Sequence, residues 1–404
     1  MKASVMPHLS SRILSINGSG SDGWGVFYRA RAMVAAGEMV TELTIGEHDI
    51  RTHPAILDAM HRAAQAGHTG YATIPGITAL RDAVAARITR NTGIPTAREN
   101  VLITPGGQSA LFAAHMACCN PGETALYIDP YYATYPGTIR AAGAVPQAIA
   151  TRAEDSFLPD YDRISDAALA HGAASLLVNT PNNPTGVVYP RSTLEDIAHA
   201  ALDHDLWVIS DEVYETQIWE GAHLSPRALP GMDQCTLVVG SMSKSHAMTG
   251  SRIGWIVAPE HVIEKLSDLA TNTTYGVPGY IQDAAVFALA QGAALEEEVA
   301  APFRRRRALA MSILEGQNVV GHIPSQGAMY LMLDIRSTGM TGEAFANALL
   351  DTHRIAVMPG ESFGAAASGH IRLAMTVADD SFAVALQTLC SFAGMLIPSD
   401  FAPA

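Results

Sequence analysis

The string SMSKSHAMTGSRIGW, residues 241 to 255, sets a lysine among serines, glycines and apolar residues, with an arginine close behind it. Lys244 is one of only three lysines in the chain, with Lys2 and Lys265. Taken alone, a lysine is most often a solvated surface residue, but this stretch is too apolar for a solvated face. A desolvated lysine is pushed towards its neutral form, which leaves an amine able to act as nucleophile and proton carrier. Three other segments offer partners for such chemistry. ITPGGQSALF (103–112) has a glycine pair that lets backbone N–H groups approach an anion at a helix N-terminus. VNTPNNPTG (178–186) and ISDEVYE (209–215) bring amides, a carboxylate and a phenol. Singly these are weak signals: a glycine pair is more often a turn, and Asp211 alone is more often a helix cap.

The elements around them give the segments a common place. Non-alternating apolar runs begin at 101 (VLIT), 124 (TALYID), 174 (ASLLVN), 206 (LWVIS), 236 (TLVVG) and 253 (IGWIVA). Helical periodicity covers roughly 54–66, 78–91, 108–118, 191–204 and 260–270. This alternation predicts an α/β fold, a mostly parallel sheet sandwiched by helices. Ligands in such sheets sit beyond the carboxyl ends of the strands, where all these segments fall. SxxE at Ser192 to Glu195 reads as a capping box. After about 290 the pattern changes to a long helix with Pro302 and the basic run 304–307, then GAMYLMLDI, a helix, GHIRLAM and a last helix. We expect a large domain over 48–290 and a smaller α+β domain from 1–47 and 291–404. The basic run is expected to form a solvated face.

Taken together, NNPTG and the pattern SxSKxxAMTGxRIGW resemble the class I/II aminotransferases, enzymes of fold type I that use pyridoxal 5'-phosphate. The likeness runs from LTIGEHD at 43 to GHIRLAM at 369. It implies that Lys244 is the lysine whose amine joins the cofactor aldehyde. Asp211 would then keep the pyridine nitrogen protonated, so that the ring draws electrons from the substrate Cα. Tyr214 and Asn183 would hydrogen-bond the ring's phenolic oxygen, and Tyr132 would stack on the ring. The phosphate would lie against the backbone of Gly107 and Gln108, with Ser241, Ser243 and Arg252 as side-chain donors. Arg372, helped by the backbone at Gly46, would clamp the substrate α-carboxylate. Tyr71 would reach the phosphate of a neighbouring subunit, which implies a homodimer with shared active sites. No metal is expected. His246 is read as structural or tuning, and His48 and His53 as ordinary loop and cap residues.

Three positions depart from the family pattern. His48 stands where proline is usual, Ser251 where tryptophan is common, and Gln108 where the aspartate-specific branch carries a lysine for the substrate's distal carboxylate. A neutral Gln108 argues against strict preference for acidic substrates. The segments HDLWVISDEVYE, SPRALPGM and YGVPGYIQDAA look most like the bacterial arginine–pyruvate type. That implies a neutral or basic L-amino acid as donor and a pyruvate-like 2-oxo acid as acceptor, exchanged by a ping-pong cycle. Asp22 and Glu47 are the nearest candidates for a cationic side chain. The alternatives are an aspartate aminotransferase and a C–S β-lyase on the same scaffold.

Composition limits the other classes. Of 404 residues, 48% are hydrophobic and 16% charged, and the formal net charge is −14, which argues against nucleic acid or an anionic membrane surface as partner. A regulator that senses a ligand on this fold needs a DNA-binding domain, and residues 1–45 are too short and insufficiently basic for one. Cys118, Cys119, Cys235 and Cys390 form no ligand-spaced cluster and read as reduced thiols. With no signal peptide or membrane span legible, a cytoplasmic location is expected.

Overall fold

The apolar runs become strands because their β-branched and leucine side chains find packing partners on both faces of a sheet. The computed structural model describes residues 7–18 and 23–397. Its strands are β1 (Thr41–Glu42), β2 (Val101–Thr104), β3 (Thr124–Asp129), β4 (Val145–Ala150), β5 (Ala173–Asn179), β6 (Trp207–Asp211), β7 (Thr236–Ser241), β8 (Gly254–Val257), β9 (Gly321–His322), β10 (Tyr330–Asp334), β11 (Ile355–Ala356), β12 (Met358–Pro359) and β13 (His370–Ala374). β2 to β8 form one sheet in the order β2-β8-β7-β6-β5-β3-β4. Only β8 runs against its neighbours, β2 and β7; the other pairings are parallel. β2, β3, β5, β6 and β7 therefore all end on one edge.

Alternate residues of a strand serve different layers. Leu237 and Val239 of β7 pack with Leu111 and Leu266, on helices Gly107–Cys118 and Glu260–Thr271. Val238 faces the other way, with Ile88 and Ala284 from helices Thr78–Thr92 and Gly279–Ala290. A second sheet, β12-β13-β10-β9, is antiparallel, and β1 pairs with β11. Leu331 and Leu333 of β10 share a core with Phe303, Leu349 and Leu386 of the C-terminal helices, and with Val26 and Leu43 from the N-terminal part.

The structure adds elements without clear periodicity. β4 is an edge strand of mixed exposure containing Pro146, helix Gly279–Ala290 is apolar on nearly every side, and helices Tyr135–Ala142 and Tyr161–His171 are short. Two expectations are corrected. Helix Arg191–Asp203 is preceded by Pro190 with no side-chain cap, so Ser192 lies inside the first turn and forms no capping box. The basic run is not all solvated: successive helical residues point about 100° apart, and Arg306 turns inward to Asp49, Asp379 and the Met375 carbonyl. No helix among the described residues is long and apolar enough to cross a membrane, and all four cysteines are free.

Candidate active site

β5, β6 and β7 end at Asn179, Asp211 and Ser241, and all three residues line one cavity of about 360 Å³. Every residue assigned from the sequence to the cofactor or the substrate carboxylate lines that cavity except Tyr71. A larger cavity of about 750 Å³ shares Gln108 and Trp24 with it.

Lys244 lies in the four-residue turn Met242–Ser245 directly after β7, which Ser241 caps by accepting from the Ser243 N–H. Its amine donates to the Gly46 carbonyl. Burial pulls its pKa down to about 8, and the cations Arg372 and Arg252 add to the fall while Glu47 opposes it. A substantial neutral fraction near pH 8 is what a nucleophile or proton carrier requires.

Asp211 is buried, and burial pushes its carboxyl up to about 6, against the Tyr135 hydroxyl, which donates to it at 2.8 Å. Among the described residues no cation pairs with it. Asn179 braces the site from the next strand: its amide donates to the Asp211 carbonyl at 2.9 Å and its Oδ1 accepts from the Asn183 N–H at 2.8 Å. The Asn183 side chain in turn accepts from Arg372 Nη1 at 2.8 Å. Arg372, 1% exposed, also donates to the Thr44 carbonyl and lies between the rings of Tyr330 and Phe363, at 4.4 and 4.3 Å. The Tyr330 hydroxyl lies 2.9 Å from that of Tyr214.

At the other end of the cavity, Gly106 has φ of +81°, and a Cβ there would meet the Arg252 guanidinium at 2.4 Å. This lets Arg252 lie against the start of helix Gly107–Cys118. Among the described residues Arg252 donates only to the backbone carbonyls of Thr249 and Pro105, at 2.8 and 3.4 Å, and pairs with no carboxylate. A guanidinium with no carboxylate, a helix N-terminus and the hydroxyls of Ser241 and Ser243 suit a dianionic phosphate. Asp211 without a cation suits a protonated ring nitrogen, and Lys244 suits an aldehyde. The residues present fit pyridoxal phosphate.

Several residues stand apart from that set. Tyr71 is 89% exposed and meets Tyr275 edge-on at 5.0 Å, outside the cavity. Gln108 uses its amide on the helix Tyr135–Ala142 side, donating to Thr138 at 2.6 Å and accepting from Thr134 at 3.2 Å. Glu47 accepts from Thr249 at 3.3 Å, and Asp22 lies outside the described residues. His53 caps a helix by accepting from the Ala55 N–H, and His246 is buried beside Ser245. His48 is no ordinary loop residue: it is half-buried against the Lys244 carbonyl, because the loop that carries it folds onto the lysine turn. Sequence reasoning missed Tyr135, Asn179, Tyr330 and Phe363. A signal existed for Asn179, a polar residue ending a buried strand. Tyr330 and Phe363 carry no comparable signal, because aromatics in apolar segments are common in any core.

Fold and site together define a transaminase architecture, and residues 38–389 match the family "Aminotransferase class I and II". The chain belongs to that family, whose members generally depend on pyridoxal phosphate, and it is an aminotransferase. It is 37% identical to the arginine–pyruvate transaminase AruH of Pseudomonas aeruginosa over 95% of this chain and 97% of that protein. It is 36% identical to the aspartate/prephenate aminotransferase of Thermus thermophilus, over 87% of this chain and 90% of the relative. The solved aspartate aminotransferase of Thermus thermophilus with maleate matches with a TM-score of 0.88 and 34% identity, over 96% of this chain and all of that one.

Proposed function

We propose that this protein uses pyridoxal 5'-phosphate to move the α-amino group of a neutral or basic L-amino acid to a pyruvate-like 2-oxo acid, in two half-reactions that share one site. The observation that carries this reading is the cavity's charge arrangement. Its cations are Lys244, Arg252 and Arg372, and its carboxylates are Glu47 and Asp211. With Lys244 assigned to the chemistry, Arg252 to the phosphate and Arg372 to the α-carboxylate, no lining cation remains among the described residues for a distal carboxylate. Glu47 instead offers a carboxylate to a cationic side chain. Similarity to an arginine–pyruvate transaminase points the same way.

When bound, the cofactor supplies an aldehyde that takes up the amino group and a ring that withdraws electrons from Cα. Gly107, Gln108, Ser241, Ser243 and Arg252 would hold its phosphate, Asp211 would keep the ring nitrogen protonated, and Tyr132, Tyr214 and Asn183 would fix the ring. Arg372 and the Gly46 backbone orient the substrate carboxylate. Lys244 Nζ takes the proton from the donor's Cα and, in the second half-reaction, returns one to the corresponding carbon of the acceptor. The exposed Tyr71 would complete a second subunit's site, making the working unit a homodimer, in a cytoplasmic setting. The reading divides the chain into a cofactor-binding part, 48–290, and a smaller part, 1–47 with 291–404.

The test is a donor panel, each amino acid paired with pyruvate, 2-oxoglutarate, oxaloacetate and glyoxylate. It is run together with borohydride reduction of the loaded enzyme and mass analysis of the Lys244 peptide. Transfer from arginine or neutral donors, with the cofactor mass fixed on Lys244, is expected. Release of pyruvate and ammonia from a cysteine conjugate without any oxo acid would instead identify a lyase.

A further inference from the structure

The lysine turn and the segment 44–49 hold one another in both directions. The Lys244 amine donates to the Gly46 carbonyl, and the Lys244 carbonyl lies 3.0 Å from Nε2 of His48. A carbonyl can only accept, so the His48 proton sits on Nε2. Further along, Thr52 donates to the Ala247 carbonyl at 2.6 Å. The turn Met242–Ser245 is too short to satisfy its own last carbonyls. The Lys244 oxygen therefore depends on side chains, His48 and the Gln217 amide at 3.3 Å.

His48 is built to be a fixed donor. Its ring meets Phe303 edge-on at 5.3 Å, and its Nδ1 is buried with no partner among the described residues. Burial, and then the Lys244 charge, push its pKa down to about 3, so it is neutral near pH 7 and holds one tautomer. Next to it Asp49 is gripped by Arg306 through both Nη atoms, at 2.9 and 2.7 Å. The cavity-lining Gly46 and Glu47 are thus held at one end by His48 and Asp49, and at the other by the Thr44 carbonyl on Arg372.

We propose that His48 is a positioning residue: by donating from Nε2 to the Lys244 carbonyl, it keeps the Gly46–Glu47 edge of the substrate cavity in register with the lysine amine. Proline, usual at this place in the family pattern, has no side-chain donor and could not make this bond. The inference goes beyond the proposed function, and only its kinetic arm rests on that reading.

The test compares His48→Leu, which removes the donor, with His48→Gln, whose Nε2 amide can replace it. Amide hydrogen exchange over residues 44–52 is measured in the full-length protein without added cofactor. The Leu variant should exchange about three- to tenfold faster there, the range one net hydrogen bond supports, and the Gln variant within about twofold of wild type. In the loaded enzyme the Leu variant should raise KM for donor and acceptor by a similar factor, more than it lowers kcat, and Gln should reverse this. Unchanged exchange in the Leu variant, or a Gln variant that behaves like Leu, overturns the proposal. Should the Leu variant not fold, Gln alone decides: wild-type exchange and KM support the bond, and fast exchange refutes it. Absence of transamination by the wild type would defeat the functional reading while leaving the exchange result intact.

Discussion

The hydroxyls of Tyr214 and Tyr330 lie 2.9 Å apart, and the Tyr330 ring covers the Arg372 guanidinium at 4.4 Å. One side chain therefore joins the group assigned to the cofactor ring to the group assigned to the substrate carboxylate. Tyr330→Phe removes the hydrogen bond but keeps the ring over Arg372. A single net hydrogen bond is worth about 0.5–1.5 kcal/mol, so kcat should fall about two- to tenfold with KM little changed. Tyr330→Ala should raise KM as well, since it strips one face from the cation. Steady-state kinetics on both variants separates the two effects, and a Phe variant that changed only KM would contradict this division.

Lys244 should show its environment before any catalysis is measured. Burial lowers its pKa from 10.5 to about 8, so the reactive neutral amine accumulates as pH rises through about 8. Exposed Lys265 is the internal control: its hydrogen bond to Glu264 raises its pKa. Acylation of cofactor-free protein, followed by peptide mass analysis, should label Lys244 at lower pH than Lys265. Labelling of both with the same pH midpoint would remove the desolvation argument. Lys244→Ala should then lower turnover by at least about 10³-fold, because nucleophile and proton carrier are lost together.

Arg372 is fully buried, with its fork on Asn183 and Thr44 and its faces on two rings. Arg372→Lys keeps the charge but loses the planar fork and both stacking contacts. KM for donors and acceptors alike should rise roughly 30- to 150-fold, about 2–3 kcal/mol, with a smaller change in kcat. Equal binding of α-carboxylates by wild type and variant would place the clamp elsewhere.

What the sequence made legible follows from which signals are local. A buried strand announces itself by an unbroken apolar run, so the six central strands could be read, whereas β4, on the edge and interrupted by Pro146, could not. The lysine and its flanking serines lie in one short motif. The contacts that hold them do not: Tyr135 on Asp211 spans 76 positions, and His48 on Lys244 spans 196. Spacing along the chain carries no information about such pairs. The helical run at 304–307 shows the same limit, since charge alone could not tell that Arg306 turns inward to Asp49.

Gln108 tests the substrate reading most directly. Its amide is already engaged, donating to Thr138 at 2.6 Å and accepting from Thr134 at 3.2 Å, and it contributes no charge to the cavity it lines. Aspartate and glutamate should therefore be no better as donors than neutral or basic amino acids. Gln108→Lys should improve kcat/KM for acidic relative to neutral substrates by about 5- to 150-fold, the range a partly buried charge pair worth roughly 1–3 kcal/mol supports. The gain should fall towards the lower figure, because the substitution also breaks the two bonds that fix this side chain to Thr134 and Thr138. Cofactor affinity should change little, since the helix N-terminus offers the phosphate its backbone there. Donor competition between aspartate and arginine, measured in wild type and variant, gives the ratio. A wild type that strongly prefers aspartate would mean that a cation outside this cavity's lining reads the distal carboxylate.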